Sequence, residues 1–233
     1  EEPLEQGDDL DVEGGVVDFH GFAYPTRAVV VRLDGGALWV WSPVALTRSL
    51  RREIDALGPV AHLVSPNKLH RLFLPEWHGA YPSALLWGPA STVRRCPALT
   101  FQAPLEDRAP AAWRGQIDQA WFRGSLFLDE IAFFHRESRT AVFADLIQTF
   151  SDAFLDAHWR PWQRVLAGLG GITQAKAMAP QDLRLSFLNR KPARAARDRV
   201  LGWNAERVIV AHGECPRSNG TEFLRRSFRW LGR

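Results

Sequence analysis

The hydrophobic runs of this chain are short and separated by turn-forming residues, a pattern that predicts alternating strands and helices. Arg27-Ala-Val-Val-Val-Arg-Leu33 reads as a strand, Asp34-Gly35-Gly36 as a tight turn and Ala37-Leu-Trp-Val-Trp41 as its hairpin partner, closed by Ser42-Pro43. Thr47 is placed to cap a helix over Arg48 to Leu57, and Gly58-Pro59 ends it. Val60 to Val64 is apolar almost without alternation, as expected of a strand buried on both faces. An irregular segment, Ser65 to His70, leads to a helical stretch from Arg71 to His78 and a strand from Ala84 to Trp87. Ile131 to His135 and Thr140 to Phe143 predict a second hairpin around Arg136-Glu-Ser-Arg139, with Ala144-Asp145 where it ends. Helices are expected within Phe150 to Gly168 and Lys191 to Trp203. Arg207 to Ala211 is a last strand, His212-Gly213-Glu214 follows it, and Thr221 is a candidate cap for a helix from Glu222 to Leu231.

This order places His70, Asp145 and His212 at or just beyond the carboxyl ends of buried strands, where open α/β sheets usually build their sites. Each also has an ordinary explanation. His70 can satisfy the loop after its strand, Asp145 can cap a following helix, and His212-Gly213 can be a turn with Gly at positive φ. The shared position at strand ends makes them candidates for one site.

Composition narrows the class without choosing a function. The chain has 233 residues, 46% of them apolar and 24% charged, enough for one globular α/β domain. An acidic N-terminal extension is expected over residues 1–23 and the domain over 24–233. No apolar run reaches the ~20 residues of a membrane span, and the acidic start is unlike a secretory signal. Cys96 and Cys215 alone make neither a disulfide framework nor a four-cysteine zinc site, which fits a cytoplasmic protein. Net charge is only +3, yet Arg184 to Arg233 is Arg-rich. Either a solvated helix face or, with weaker support, a nucleic-acid surface follows. Ten Trp residues read mainly as core, since Trp39 and Trp41 alternate on a strand and Trp159, Trp162 and Trp203 fall in amphipathic helices. Trp77 and Trp87, flanking the loop after His70, are candidates for a pocket wall. Gly168-Leu-Gly-Gly171 lacks the surroundings of a phosphate loop, and no serine sits in a nucleophile elbow.

The element order resembles the metallo-β-lactamase superfamily from about Ala28 to the final helix. The strings Tyr24-Pro25-Thr26-Arg27, Leu38-Trp39-Val40-Trp41-Ser42-Pro43, Pro66-Asn67-Lys68-Leu69-His70 and Phe134-His135-Arg136-Glu137-Ser138-Arg139-Thr140 resemble an uncharacterised branch of it, a domain of unknown function. The resemblance implies a single-domain αββα sandwich. It also implies a metal motif H-x-H-x-D-H after a strand, laid on Ser65 to His70, where only His70 survives. Ser65, Asn67 and Leu69 stand where His, His and Asp belong, and a further expected His, near Leu126, is also missing. Asp145 matches the bridging carboxylate and His212 the terminal strand-end His. The first of two metal sites is therefore expected to be lost, and His70, Asp145 and His212 are left to hold one divalent ion (zinc, iron or manganese) or none. Ser42, Ser65, Asn67 and Trp77 are expected to line the pocket. His135, in the predicted hairpin turn, is given no catalytic role. Two functions stay open: a mononuclear metal-dependent hydrolase of unknown substrate, and a ligand-binding module that kept the fold and lost the ion.

Overall fold

The computed structural model describes residues 9–232. Strands β1 (Asp9–Phe19), β2 (Phe22–Arg32), β3 (Leu38–Trp41), β4 (Val60–Val64) and β5 (Leu85–Trp87) form one sheet in that order, antiparallel up to β3 and parallel beyond it. Strands β6 (Ile117–Phe122), β7 (Glu130–His135), β8 (Thr140–Phe143) and β9 (Arg207–Val210) form the second, with only β8 and β9 parallel.

The period of two along each strand explains the layers. On β2 and β3, Val29, Val31, Trp39 and Trp41 face inward and meet Ile117, Ile131, Phe133, Val142 and Ile209 of the second sheet. Their neighbours Ala28, Val30, Leu38 and Val40 face outward, under Leu50 and Ile54 of α1 (Arg48–Leu57) and Leu74 and Trp77 of α2 (Leu74–Ala80). The outer face of the second sheet, with Phe122, Phe134, Phe143 and Val210, is covered by α6 (Gln181–Ser186), α7 (Arg190–Gly202) and α8 (Gly220–Ser227). The result is the expected αββα sandwich. Burial on both faces is why the strands read as unbroken apolar runs.

Local chemistry sets the boundaries. Gly35 and Gly36 take positive φ in the turn after β2, and Val31 pairs with Trp39 and Val29 with Trp41 across that hairpin. Thr47 caps α1, its side chain accepting from Leu50 N at 3.2 Å.

The structure departs from the sequence reading in several places. Residues 9–23, read as part of an acidic extension, supply β1 and the start of β2; residues 1–8 lie outside the described residues. β6, α3 (Ala90–Arg95) and α6 had no clear sequence signal. The helical material expected within Phe150 to Gly168 is two helices, α4 (Asp152–His158) and α5 (Pro161–Gly170), because Pro161 starts a new helix at its first position. Asp145 caps no helix; Ser151 caps α4 through Phe154 N. Thr221 does not cap α8 either, since its hydroxyl donates to Ala205 O at 3.0 Å.

Candidate functional site

Each of the three strand-end residues is placed by its own turn. After β4, the Ser65 hydroxyl donates to the carbonyls of Asn67 (2.7 Å) and His70 (3.0 Å), and Asn67 Oδ1 accepts from Leu69 N (2.8 Å) and His70 N (3.3 Å). These bonds curl the loop and bring His70 back over the strand end. After β8, the backbone N–H groups of Ala144, Asp145 and Leu146 donate to the Glu130 carboxylate at 2.9, 2.7 and 3.3 Å. After β9, Gly213 turns the chain with φ 112°, and a Cβ there would lie 2.2 Å from Thr149 O, so glycine is required. Arg27 of β2 pins this turn by donating to Val210 O (2.7 Å) and Gly213 O (2.8 Å).

The turns bring His70, Asp145 and His212 together, with one candidate ligand atom from each lying within 4.8 Å of the others. His70 Nε2 is 3.3 Å from Asp145 Oδ2 and His212 Nε2 is 3.6 Å from Asp145 Oδ1. The opposite ring nitrogens are held from behind. His212 Nδ1 lies 2.8 Å from Pro25 O, and a carbonyl only accepts, so Nδ1 carries a proton and Nε2 is the ring atom turned to the site. His70 Nδ1 lies 2.7 Å from Ser42 Oγ, and the Trp41 ring stacks on His70 at 6.0 Å. Ser42 takes φ 48°, an uncommon conformation for a serine, at the position that holds this histidine.

The carboxylates form a second layer. Asn67 Nδ2 donates to Asp145 Oδ2 (2.8 Å) and to Glu130 Oε2 (3.1 Å), joining the two acids through one amide. Burial pushes the Asp145 carboxyl up, but the hydrogen bonds and charges of His212 and His70 outweigh it and hold Asp145 well below the usual carboxylate range. Burial and the charge of Asp145 push Glu130 up, to about 8, against the pull of its N–H donors. Burial lowers His70 below the ordinary histidine value, with the hydrogen bond and charge of Asp145 opposing.

Above this floor opens a cavity of about 890 Å³ lined by Tyr24, Thr26, Ser42, Leu69, Gln148 and Trp159 among others. Burial, then the charge of Asp145, push the Tyr24 hydroxyl above its ordinary value, so it stands protonated, its ring edge-on to His212 at 5.1 Å. Of the residues expected to line the pocket, Ser42 does. Ser65, Asn67 and Trp77 do not: the first two are fully buried in the loop, and Trp77 is in the outer core, donating to Val44 O at 2.7 Å. Trp87 is likewise core, donating to His62 Nδ1 at 3.2 Å. His135 is buried beside Ser138, at 2.9 Å. Glu130 and Gln148 were not foreseen, because nothing in their sequence neighbourhoods marks them as polar groups of a site. Tyr24 and Pro25 lie in one of the strings that carry the family resemblance, which was the available signal. The arginines of α7 are largely occupied: Arg190 donates to Trp230 O, Arg194 to Leu231 O and Arg199 to Asp107.

Comparison with curated protein sequences gives no match. Among solved structures, the DIM-1 metallo-β-lactamase exposed to ceftazidime superposes with a TM-score of 0.65 at 12% identity, over 99% of this chain and 94% of the other. A metallo-β-lactamase from Pontibacter korlensis gives 0.61 at 12% identity, over 98% and 97%. The FIM-1 enzyme from Pseudomonas aeruginosa in its mono-zinc form gives 0.58 at 12%, over 95% and 90%. At such identities the likeness is one of fold. A family profile matches residues 15–158, a span that includes His70 and Asp145 but not His212. The chain therefore belongs to the family described as Domain of unknown function (DUF4336), built on the metallo-β-lactamase fold.

Proposed function

We propose that the protein is a mononuclear metal-dependent hydrolase in which His70, Asp145 and His212 hold one divalent ion at the floor of the cavity. The observation that carries this reading is the orientation of the histidines. Both turn Nε2 toward the two oxygens of Asp145 while their Nδ1 atoms are engaged by Ser42 and by the Pro25 carbonyl. One donor atom from each residue converges on a single point, a set that a divalent cation would satisfy. Ligation needs neutral histidines and a deprotonated carboxylate, so uptake should weaken as pH falls. Nitrogen and oxygen donors without a thiolate suit zinc, iron or manganese. Bound there, such an ion would supply Lewis-acid polarisation and a water of lowered pKa.

The remaining tasks fall to the chain's own groups. Ser42 and Pro25 fix the ring orientations, Asn67 and Glu130 fix Asp145, and the protonated Tyr24 offers a hydrogen bond beside His212. Apolar walls restrict water, which strengthens each of these interactions. The second reading, a binding module without an ion, is favoured by Leu69, whose apolar side chain lines the cavity where the family motif has an acid.

Metal content by mass spectrometry on untagged protein separates the two. About one ion per chain is expected, lost in His212→Ala and Asp145→Ala, and Ser42→Ala should weaken affinity roughly 10–100-fold as the partner of a ligating histidine. A chain that takes up no zinc, iron or manganese under any of these conditions would be the binding module.

A further inference from the structure

The mouth of the cavity is more apolar than its floor and more exposed than a core. Phe19 of β1, Leu72 after β4, Phe127 before β7, Leu166 and Leu169 of α5 and Leu185 of α6 all line it while remaining open to solvent. Leu72 is 61% exposed, Leu169 66% and Leu185 64%. Scattered exposed leucines need no explanation, but convergence from separate segments on one opening marks a surface made to be covered.

The charged lining adds a constraint. Asp18, Asp145 and Asp182 are the acidic residues of the wall, and no lysine or arginine is among the described residues that line it. Away from the floor, an anionic ligand would meet no cationic side chain along the wall. Gln148, an uncharged amide hydrogen-bonded to Tyr24, also lines the cavity. The volume, about 890 Å³, lies in the upper part of the range of roughly 300–1,000 Å³ for small-molecule sites.

We propose that the cavity takes an uncharged ester of a long-chain acid, with the ester group at the His70, Asp145 and His212 floor and the hydrocarbon chain along the leucine-lined mouth. The hydrolytic step rests on the metal-hydrolase reading, whereas chain binding does not. Hydrolysis adds one water across the bond: the water oxygen joins the acyl carbon, the bond from that carbon to the alkoxy oxygen breaks, and the alcohol leaves with a proton.

The first arm of the test measures displacement of the neutral fluorophore N-phenyl-1-naphthylamine by hexanol, octanol and decanol, with and without added zinc. Affinity should rise about fourfold per methylene, and in the absence of zinc decyl phosphate should compete less well than decanol. Leu169→Asp and Leu185→Asp, at exposed positions that should not disturb folding, should each weaken decanol binding at least tenfold with unchanged circular dichroism. The second arm compares kcat/KM of zinc-loaded protein for 4-nitrophenyl acetate and decanoate, with the longer ester favoured. Chain-length-dependent binding without turnover would overturn the hydrolase reading and leave the apolar site standing. Turnover indifferent to chain length, or alcohols bound no better as they lengthen, would overturn the inference about the ligand.

Discussion

Asn67 shows how a residue that replaces a metal ligand can acquire another task. Both hydrogens of its amide are given to Asp145 and Glu130, and its oxygen accepts from Leu69 N and His70 N, so the side chain has no unused capacity. A histidine at this place could not serve all four partners. Glu130 is the counterpart: a 1% exposed carboxylate receiving Asn67 and three backbone N–H groups. Above the point at which Glu130 ionises, about 8, Glu130→Gln would turn an N–H donor toward other donors, and we expect a loss of roughly 2–3 kcal/mol of stability there. Urea denaturation reads this as a lower midpoint at constant slope; an unchanged midpoint would mean that the carboxylate does not organise the turn. Neither role was legible in the sequence. Asn67 was read as a missing ligand and as a pocket-lining residue, and Glu130, just before the strand expected from Ile131, drew no reading, because a hydrogen-bond network across three loops leaves no local trace.

At the scale of elements, the strands with both faces buried were readable and the others were not. β3, β8 and β9 need no polar face, so they appear as unbroken runs between turn residues. β1 lies at the sheet edge with much of its length exposed, and its acids and glycines hide it. β6 escapes for a different reason: Gln119 is buried among its apolar neighbours, its amide donating to the Glu106 and Arg108 carbonyls at 2.6 and 3.1 Å. The turn after β9 was readable as Gly at positive φ, and that ordinary explanation holds together with the site role of His212. Gly213→Ala is expected to cost about 1–3 kcal/mol from backbone strain, plus the collision with Thr149 O, and to displace His212. Thermal denaturation should show the loss, and zinc uptake should fall with it; full uptake would uncouple the turn from the site.

At the scale of the whole molecule, the site bridges the two sheets. His70 leaves the first sheet after β4, while Asp145 and His212 leave the second after β8 and β9. An ion held by all three would tie the layers together and stabilise only the folded chain. Zinc at about a hundred times its dissociation constant should therefore raise stability by ~2.7 kcal/mol, with a higher melting temperature that a chelator reverses. His212→Ala should show no such rise, and a wild-type melting temperature indifferent to zinc would contradict the proposed centre. No helix among the described residues is long and apolar enough to cross a membrane. The C-terminal arginines, read as either a solvated face or a nucleic-acid surface, bond in part to the carbonyls of the last turn through Arg190 and Arg194.

The sequence by itself determined the buried strands, the turns that end them and the three polar residues at their carboxyl ends, because apolar runs and turn chemistry are local properties. Family resemblance then supplied the sandwich and the expected loss of a metal site. Only the tertiary structure decided which way the histidine rings face, how Glu130 and Asn67 hold Asp145, and that the leucines of α5 and α6 open onto a cavity. Helical periodicity reports that Leu166 is an apolar position on a helix; whether another element covers it, or Leu169 and Leu185 beside it, depends on residues far away in the chain.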